Sequence, residues 1–306
     1  MCIRDRGKHF VIEADESDSS FLHYETAVAL ITNVDPDHLD HFGSLEAFQA
    51  EFAKFANAAS GFVVISSDDA GAVATTSLIT HAQVITFGEA EGADFKVSDV
   101  DAGSAQVSFK LEHKGQQQRL QLTIPGAHNA LNAAGAIAVL VGLGFDFQQA
   151  GDAVSGFGGT QRRFELHGNR RGVSVYDDFA HHPTEVAAAL LAARAVVGSG
   201  KLITVFQPHL YSRTRIFARE FAEALALSDQ VVVTDIYGAR EDPEPGVTGE
   251  LISSRFARES DVHFVPAWDD VPQAAAQLAE SGDFIITMGC GDIYRMVPQL
   301  LGALEQ

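Results

Sequence analysis

The chain has 306 residues, of which 41 are acidic and 21 basic, so its formal net charge is −20; 46% of the residues are hydrophobic. That length suits two domains with sizeable cores, and the apolar content excludes a disordered chain. The acidity argues against a nucleic-acid backbone or an anionic membrane as main partner, though a few local arginines can still hold small anions.

No apolar run reaches the roughly 18 residues of a membrane span, so no membrane insertion is expected. The N-terminus lacks the apolar core of a signal peptide. Cys2 and Cys290 cannot form a disulfide framework, and no CxxC occurs. These features suggest a soluble cytoplasmic protein.

In chain order, Phe10–Ile12, Val28–Ile31, Phe62–Ile65 and Val84–Phe87 read as buried strands, with a helical pattern over Leu45–Ala56. The alternation predicts a mostly parallel sheet with crossover helices. Residues 94–124 break it with an antiparallel insertion, turning at Asp101-Ala102-Gly103 and Lys114-Gly115. An Ala-rich helix over Asn129–Leu143 follows. Gly156-Phe157-Gly158-Gly159 is the candidate hinge, which places a first domain at 1–159 and a second at 160–306. In the second, strands are expected at Val173–Tyr176, Leu202–Phe206, Val231–Thr234 and Phe284–Met288. Helices are expected at Glu185–Val197, Ile216–Leu227 and Val271–Glu280. The first six residues show no pattern, and a central apolar strand follows them at once, which suggests a chain lacking something upstream.

Candidate chemistry clusters at strand ends, where α/β folds bind ligands. Glu13-Ala14-Asp15-Glu16-Ser17-Asp18 offers hard oxygen donors suited to Mg²⁺, or else a solvated acidic turn with a helix cap. Asn33–His41 brings His38 to the next strand end, where it and Glu13 could share one metal. His128-Asn129-Ala130-Leu131-Asn132 opens the Ala-rich helix; its amides can read an adenine edge, or Asn129 simply caps. Arg162 and Arg163 follow the hinge and can reach phosphates or pair with acids. Asp177-Asp178-Phe179-Ala180-His181-His182-Pro183-Thr184-Glu185 holds two acids and two histidines at a strand-to-helix turn; capping by Thr184 is the plain alternative. Phe206–Arg215 carries His209, Arg213 and Arg215, able to grip a carboxylate or to pair with Glu220 or Glu223. Met288-Gly289-Cys290-Gly291 hints at anion binding by backbone amides, unless its glycines only permit close packing.

The order of these segments resembles the Mur ligase family: EADESDSSFL, TNVDPDHLDHF, PGAHNALNA, RRFE, YDDFAHHPTEV and FQPHLYSRTR, from about Lys8 to the C-terminus. The resemblance implies the later part of a central ATPase domain followed by a Rossmann-like C-terminal domain. It also implies an ATP- and Mg²⁺-dependent amide ligase of peptidoglycan precursor synthesis, acting through an acyl phosphate. Among family activities, the joining of L-alanine to UDP-N-acetylmuramate fits SSFLHY and FQPHLYSRTR. A tripeptide-adding recycling ligase fits Phe179, and a non-catalytic nucleotide-binding module is the alternative of another class. No GxxxxGK[ST] phosphate loop occurs, so this segment is expected to fold but not to ligate alone.

By resemblance, Glu13 and His38 take the metal positions. His128, Asn129, Asn132, Arg163 and Asp177 face the nucleotide, and His181, His209 and Arg213 hold the amino acid and acyl phosphate. Phe179 stands where many relatives carry Tyr, and Leu210 where some carry Arg. Carboxylate binding should then rest on Arg213 and Arg215.

Overall fold

The computed structural model describes residues 3–4, 8–37 and 39–305. The chain divides into two compact units: the first holds the chain up to Asp101 with Ser108–Leu122 and Asn129–Phe157, and the second holds Ala102–Val107, Thr123–His128 and the chain from Gly158.

In the first unit, β1 (Ile3–Arg4) pairs antiparallel with β2 (Val11–Ile12) as a separate two-stranded sheet. The main sheet runs in sequence order: β3 (Val28–Ile31), β4 (Phe62–Ser66), β5 (Gln83–Gly88), β6 (Phe95–Asp101), β7 (Val107–His113) and β8 (Gln116–Leu122). Strands β3 to β6 are parallel and β7 is antiparallel to β6, the expected insertion. Lys114 and Gly115 both take positive φ, 49° and 79°, which a tight hairpin of this hand requires. Helices α1 (Leu39–Phe42), α2 (Leu45–Asn57) and α3 (Ala70–Thr76) fill the crossovers. The apolar face of α2 packs Phe48 and Phe55 against Phe21, Ile31 and Ile65. Helix α4 (Ala127–Gly142) approaches β3 to β5 so closely that a Cβ on Gly142 would lie 2.4 Å from the Phe62 ring. Helix α5 (Phe147–Ser155) ends at Gly156.

One expectation fails. Phe10–Ile12 reads as a buried strand, yet Phe10 and Val11 are 58% and 61% exposed and β2 stays outside the main sheet. Apolar composition announces a strand but cannot name its ladder partner, and the partner here is Ile3–Arg4.

The second unit is a six-stranded sheet in the order β13-β12-β11-β14-β10-β9. Its members are β9 (Glu165–Arg170), β10 (Val173–Asp178), β11 (Leu202–Phe206), β12 (Gln230–Val233), β13 (Val262–Phe264) and β14 (Phe284–Met288). All neighbours are parallel except the β9/β10 pair. Helices α6 (Pro183–Val197), α7 (Tyr211–Leu225) and α8 (Glu250–Ser253) cover one face; α9 (Val271–Leu278) and α10 (Val297–Ala303) cover the other. The strands alternate accordingly: Phe206, Val231 and Met288 face the first core, and Val205, Val232 and Ile285 the second. Burial on both faces produces the near-continuous apolar runs of these strands.

The structure corrects several limits. Strand β10 extends through Asp178, so both aspartates lie in the strand rather than in the turn after it. Helix α7 begins at Tyr211, five residues earlier than the periodicity indicated, which puts Arg213 in its first turn. Strands β9 and β13 escaped detection because one is a polar edge strand and the other has three residues. Among the described residues no helix is long and apolar enough to cross a membrane.

One carboxylate ties β3's exit loop to α3. Asp69 Oδ1 accepts from Ala72 N at 2.7 Å, capping the helix, and from the buried Val34 N at 2.9 Å. Asp69→Ala leaves both amides without this acceptor and is expected to cost about 1–3 kcal/mol. The cost should read as a lower urea midpoint with unchanged slope; an unaltered midpoint would show that solvent replaces both bonds.

Candidate active site

The strand order of the second sheet reverses around β11, β14 and β10, and the carboxyl ends of these strands converge there. This is where an open α/β sheet leaves a crevice for ligands. Most of the residues singled out in the second domain meet at this edge.

At the end of β10, Asp177 is fully buried. Thr287 Oγ1 donates to its Oδ1 at 2.6 Å, and Arg162 Nε to its Oδ2 at 2.9 Å. Arg162 also donates to the Gly289 carbonyl at 2.7 Å. Its guanidinium lies between two rings, 4.9 Å from the centroid of Phe179 and 4.4 Å from that of Tyr294. Asp177 thus acts on the site through Arg162, a residue whose importance the motif reading understated. Arg163 rides the same Phe179 ring at 5.3 Å, lies 3.9 Å from Glu185 and keeps 47% of its side chain exposed. The neighbouring Asp178 accepts from Phe164 N and Ala180 N, both at 2.8 Å. Burial raises its carboxyl to about 6 despite those amides and the Arg163 charge.

The turn into α6 is held by Glu185, not Thr184. His182 is the N-cap, Pro183 the first helical residue, and His182 and Glu185 close a reciprocal capping box. Glu185 Oε2 accepts from His181 N at 3.0 Å and lies 3.2 Å from His181 Nδ1. Burial works to raise the Glu185 carboxyl, but the charges of His181 and Arg163 and the His181 amide hold it below its ordinary value. His181 Nδ1 also lies 3.0 Å from the Phe179 carbonyl. With two oxygens at that nitrogen, Nδ1 carries the proton and Nε2 is the basic position.

At the end of β11, Arg213 is 3% exposed and its Nη1 donates to His209 Nδ1 at 3.1 Å. An arginine cannot accept, so Nδ1 of His209 is unprotonated and Nε2–H is the donor. Burial first, then the charges of Arg213, His181 and Arg240, lower His209 to about 4. The two imidazoles stand edge to face, 6.1 Å apart. One offers a basic nitrogen and the other an N–H. Arg215 is exposed and pairs with Glu244, not with Glu220 or Glu223. The loop after β12 adds two residues with no sequence signal. Tyr237 stacks on His209 at 5.9 Å, and Glu241 accepts from Ser212 N at 2.9 Å.

The Gly289-Cys290-Gly291 segment is closely packed. A Cβ on Gly289 would lie 2.8 Å from the Gln207 carbonyl, and one on Gly291 2.8 Å from Tyr237 Cγ. Burial pushes the Cys290 thiol up to about 11, so it is not a nucleophile at neutral pH.

The remaining candidates lie at the start of α4 and in the first unit. Asn129 and Asn132 are one turn apart on one face of α4, and Asn132 is exposed. Burial and the charge of Arg163 lower His128, keeping it neutral. Glu13 is exposed just beyond β2. Its neighbours Asp15 and Asp18 turn the chain by accepting from Ser17 N and Ser20 N, each at 3.0 Å. His38 lies outside the described residues. His41, from the same segment, lies 3.1 Å from the Ser19 hydroxyl. Among the described residues no three His, Cys, Asp or Glu side chains converge as a metal cage.

The fold is that of a doubly wound α/β protein, and imidazoles, carboxylates and arginines gather at the carboxyl edge of its sheet, where such folds bind ligands. The model of the Mur ligase middle domain matches residues 2–140, and that of the Mur ligase glutamate ligase domain matches residues 162–291. A UDP-N-acetylmuramate–L-alanine ligase of Clavibacter sepedonicus is 58% identical over 298 residues, covering 97% of this chain and 62% of that protein. The Thermobifida fusca ligase of the same name is 46% identical over 96% of this chain and 64% of its own length. Among solved structures, the UDP-N-acetylmuramate-alanine ligase of Thermotoga maritima matches with a TM-score of 0.75 and 28% identity, over 95% of this chain and 63% of that one. A murein peptide ligase of Psychrobacter arcticus shares the fold, with a TM-score of 0.66 and 23% identity over 94% of this chain and 59% of its own. The chain belongs to the Mur ligase family and carries its middle and C-terminal domains. It spans a little under two thirds of the length of these relatives.

His209 and Asp178 give the stability of the second unit two opposed pH terms. His209 titrates near 4 folded and near 6.5 unfolded, so the unfolded chain binds the extra proton and stability rises with pH across that window. Asp178 titrates near 6 folded and 3.8 unfolded, so the folded chain binds the extra proton and stability falls as pH rises between those values. The wild-type advantage over His209→Gln should therefore grow from pH 4 to 6.5, and that over Asp178→Asn should shrink from pH 4 to 6. Urea titrations at half-unit pH steps test both signs, and parallel curves would contradict the assignment.

Proposed function

We propose that this chain carries the nucleotide-facing and acceptor-binding parts of an ATP-dependent ligase that joins L-alanine to UDP-N-acetylmuramate. The observation that carries the reading is the 58% identity, over 97% of the chain, to a ligase of that name. The His181, His209 and Arg213 cluster supports it with matching chemistry. On this reading residues 1–159 serve the nucleotide, residues 160–306 hold the acceptor and reach the nucleotide through Arg163 and Asp177, and the reaction belongs to the cytoplasm.

Amide formation from a carboxylate needs an activated acyl group, a free amine and control of negative charge. ATP supplies the phosphoryl group that activates the muramate carboxyl. A neighbouring structure with this fold, a MurF ligase of Thermotoga maritima, was solved with ADP. In this chain Asn129 and Asn132 present amides for the adenine edge, His128 stays a neutral imidazole beside them, and Arg163 keeps half its length exposed for phosphate oxygens. Asp177 secures that side of the site by fixing Arg162.

Mg²⁺ would be held by Glu13, with His38 as the second position, and would neutralise charge on the phosphoryl oxygens. The exposed carboxylate of Glu13 at a strand end suits a hard cation.

The acceptor arrives as an ammonium and must lose a proton before it attacks. His181 Nε2 is the basic position for that proton, and Glu185 steadies the imidazolium that results. Arg213 is a permanent cation, buried and aimed, which suits the acceptor carboxylate. His209, neutral at working pH, donates from Nε2–H toward developing negative charge without repelling the ammonium.

The test is a chimera in which residues 8–305 replace the matched segment of the Clavibacter sepedonicus ligase. It should release phosphate from ATP only with both UDP-N-acetylmuramate and L-alanine present. Arg213→Ala should lower kcat/KM for L-alanine by about 10²–10³, and His181→Ala by about 10²–10⁴. Turnover with a tripeptide and none with L-alanine would assign the recycling activity instead, and a folded chimera without turnover would favour a binding module.

A further inference from the structure

We propose that His182 is a positioning residue for Arg213: its ring bears on Phe217 and holds a bend in α7 that aims the first turn, with Arg213 in it, at His209. What the bend does for the reaction rests on the reading of His181, His209 and Arg213 as the acceptor site; the bend itself does not.

Helix α7 is two helical pieces joined across a kink at Phe217, whose φ of −109° and ψ of 18° are not helical. Kinks have few causes: a proline, a glycine–serine pair, a π-bulge, or a side chain set against the helix. The sequence of α7 has no proline and no glycine, its one serine lies in the first turn, and no π turn interrupts it. What meets the helix at the irregular residue is His182. Its ring stands edge to face with that of Phe217, 5.2 Å between centroids and 72° between planes.

His182 can bear on α7 because it is held from its own side. It is the N-cap of α6: its side chain accepts from Glu185 N, and its own amide donates to Glu185 Oε2 at 3.3 Å. Pro183 follows with its φ fixed, and Val186 N donates to the His182 carbonyl at 2.9 Å. Ala180, Val186 and Leu190 lie in the same buried core as Ala218, Phe221 and Ala222 of α7. The two helices are therefore packed together beyond the kink, and the ring sits where that packing begins.

The other end of the bent piece is also held. Leu210, just before α7, is 2% exposed and takes φ 69° and ψ 136°, which a bulky residue adopts only under constraint. Its carbonyl accepts from Thr214 N at 3.1 Å and from Thr214 Oγ1 at 2.8 Å. Arg213 lies between these two irregular residues, on a piece whose direction the body of α7 does not dictate. On that piece its Nη1 reaches His209 Nδ1 at 3.1 Å. His181 and His182 are chain neighbours, so the turn that presents one imidazole also aims the arginine that fixes the other.

The test follows the His209 imidazole of the 306-residue chain by its nitrogen-15 shifts between pH 5 and 8. Wild type should stay largely neutral with its proton on Nε2. His182→Asn keeps a capping side chain for α6 but removes the ring. Arg213 should then draw away from Nδ1, and the fixed tautomer should give way to a mixture. The His209 midpoint should rise by about one pH unit, because the Arg213 charge is among the causes that depress it. Phe217→Ala removes the partner ring, leaves the cap alone and should do the same, and the double variant should add nothing to either. His182→Phe keeps a ring and gives up the cap, so it should retain the wild-type His209 spectrum with a lower urea midpoint. If His182→Asn does not fold, Phe217→Ala carries the comparison. In the chimera with the Clavibacter sepedonicus ligase, His182→Asn should raise KM for L-alanine about tenfold and alter kcat less, and His182→Phe should restore it.

An unshifted His209 in folded His182→Asn and Phe217→Ala would overturn the inference and leave the ligase reading standing. So would shifts that simply add in the double variant, or a His182→Phe spectrum like that of His182→Asn. A shifted His209 with KM for L-alanine unchanged would uphold the bend and overturn the acceptor reading of Arg213.

Discussion

A carboxylate removed wholly from water must be paired, and at Asp177 that requirement organises the carboxyl edge of the second sheet. Its two oxygens take a hydroxyl from β14 and a guanidinium from the segment before β9. The pairing therefore pins Arg162, and Arg162 in turn holds the Gly289 carbonyl and the rings of Phe179 and Tyr294. Phe179 starts the turn that positions His181. Removing one partner of such a buried pair typically costs about 3–5 kcal/mol, because the other charge is left uncompensated. Stability at this spot and the placement of the reactive side chains are the same set of contacts.

The two histidines show how partners, not residue type, decide chemistry. His181 has oxygens at Nδ1 and so carries its proton there; His209 has an arginine at Nδ1 and so carries its proton on the other nitrogen. Burial and the neighbouring Arg213 charge also keep His209 from protonating. Two identical side chains 6.1 Å apart thereby become an acceptor and a donor, and neither depends on a proton from solvent to be so.

Much of the fold was legible because both faces of the second sheet are buried, so its long strands are apolar runs bounded by turn residues. The strand ends were legible for a chemical reason: side chains such as Asp177, His181, His209 and Arg213 have no place in an apolar core without a partner. What stayed hidden depends on long-range partners. Nothing near Tyr211 announces a helix start, because its cap, Glu241, lies 29 residues beyond Ser212. Nothing near Tyr237 announces a role, because its meaning comes from His209 and Gly291. Phe10–Ile12 failed in the opposite sense: the strand signal was sound, but the ladder it would join was not a property of those residues.

The overall acidity is at odds with anionic ligands until charge is placed. Arg162, Arg163, Arg213, Arg215 and Arg240 are five of only 21 basic residues, and all belong to segments that meet at or border the carboxyl edge of one sheet. At physiological ionic strength the field of a distant carboxylate is screened within about 8 Å, so the −20 total governs solubility more than binding. Four of the five are also aimed or restrained: Arg162 by Asp177, Arg163 by Phe179 and Glu185, Arg213 by His209, and Arg215 by Glu244. Carboxylates among these partners hold their cations in place and temper their charge. Arg213 differs from Arg215 in place: it is buried in the first turn of α7 with Nη1 on His209, whereas Arg215 is exposed and paired with Glu244. That position beside the imidazole pair is why the acceptor reading rests on it and not on the more exposed Arg215.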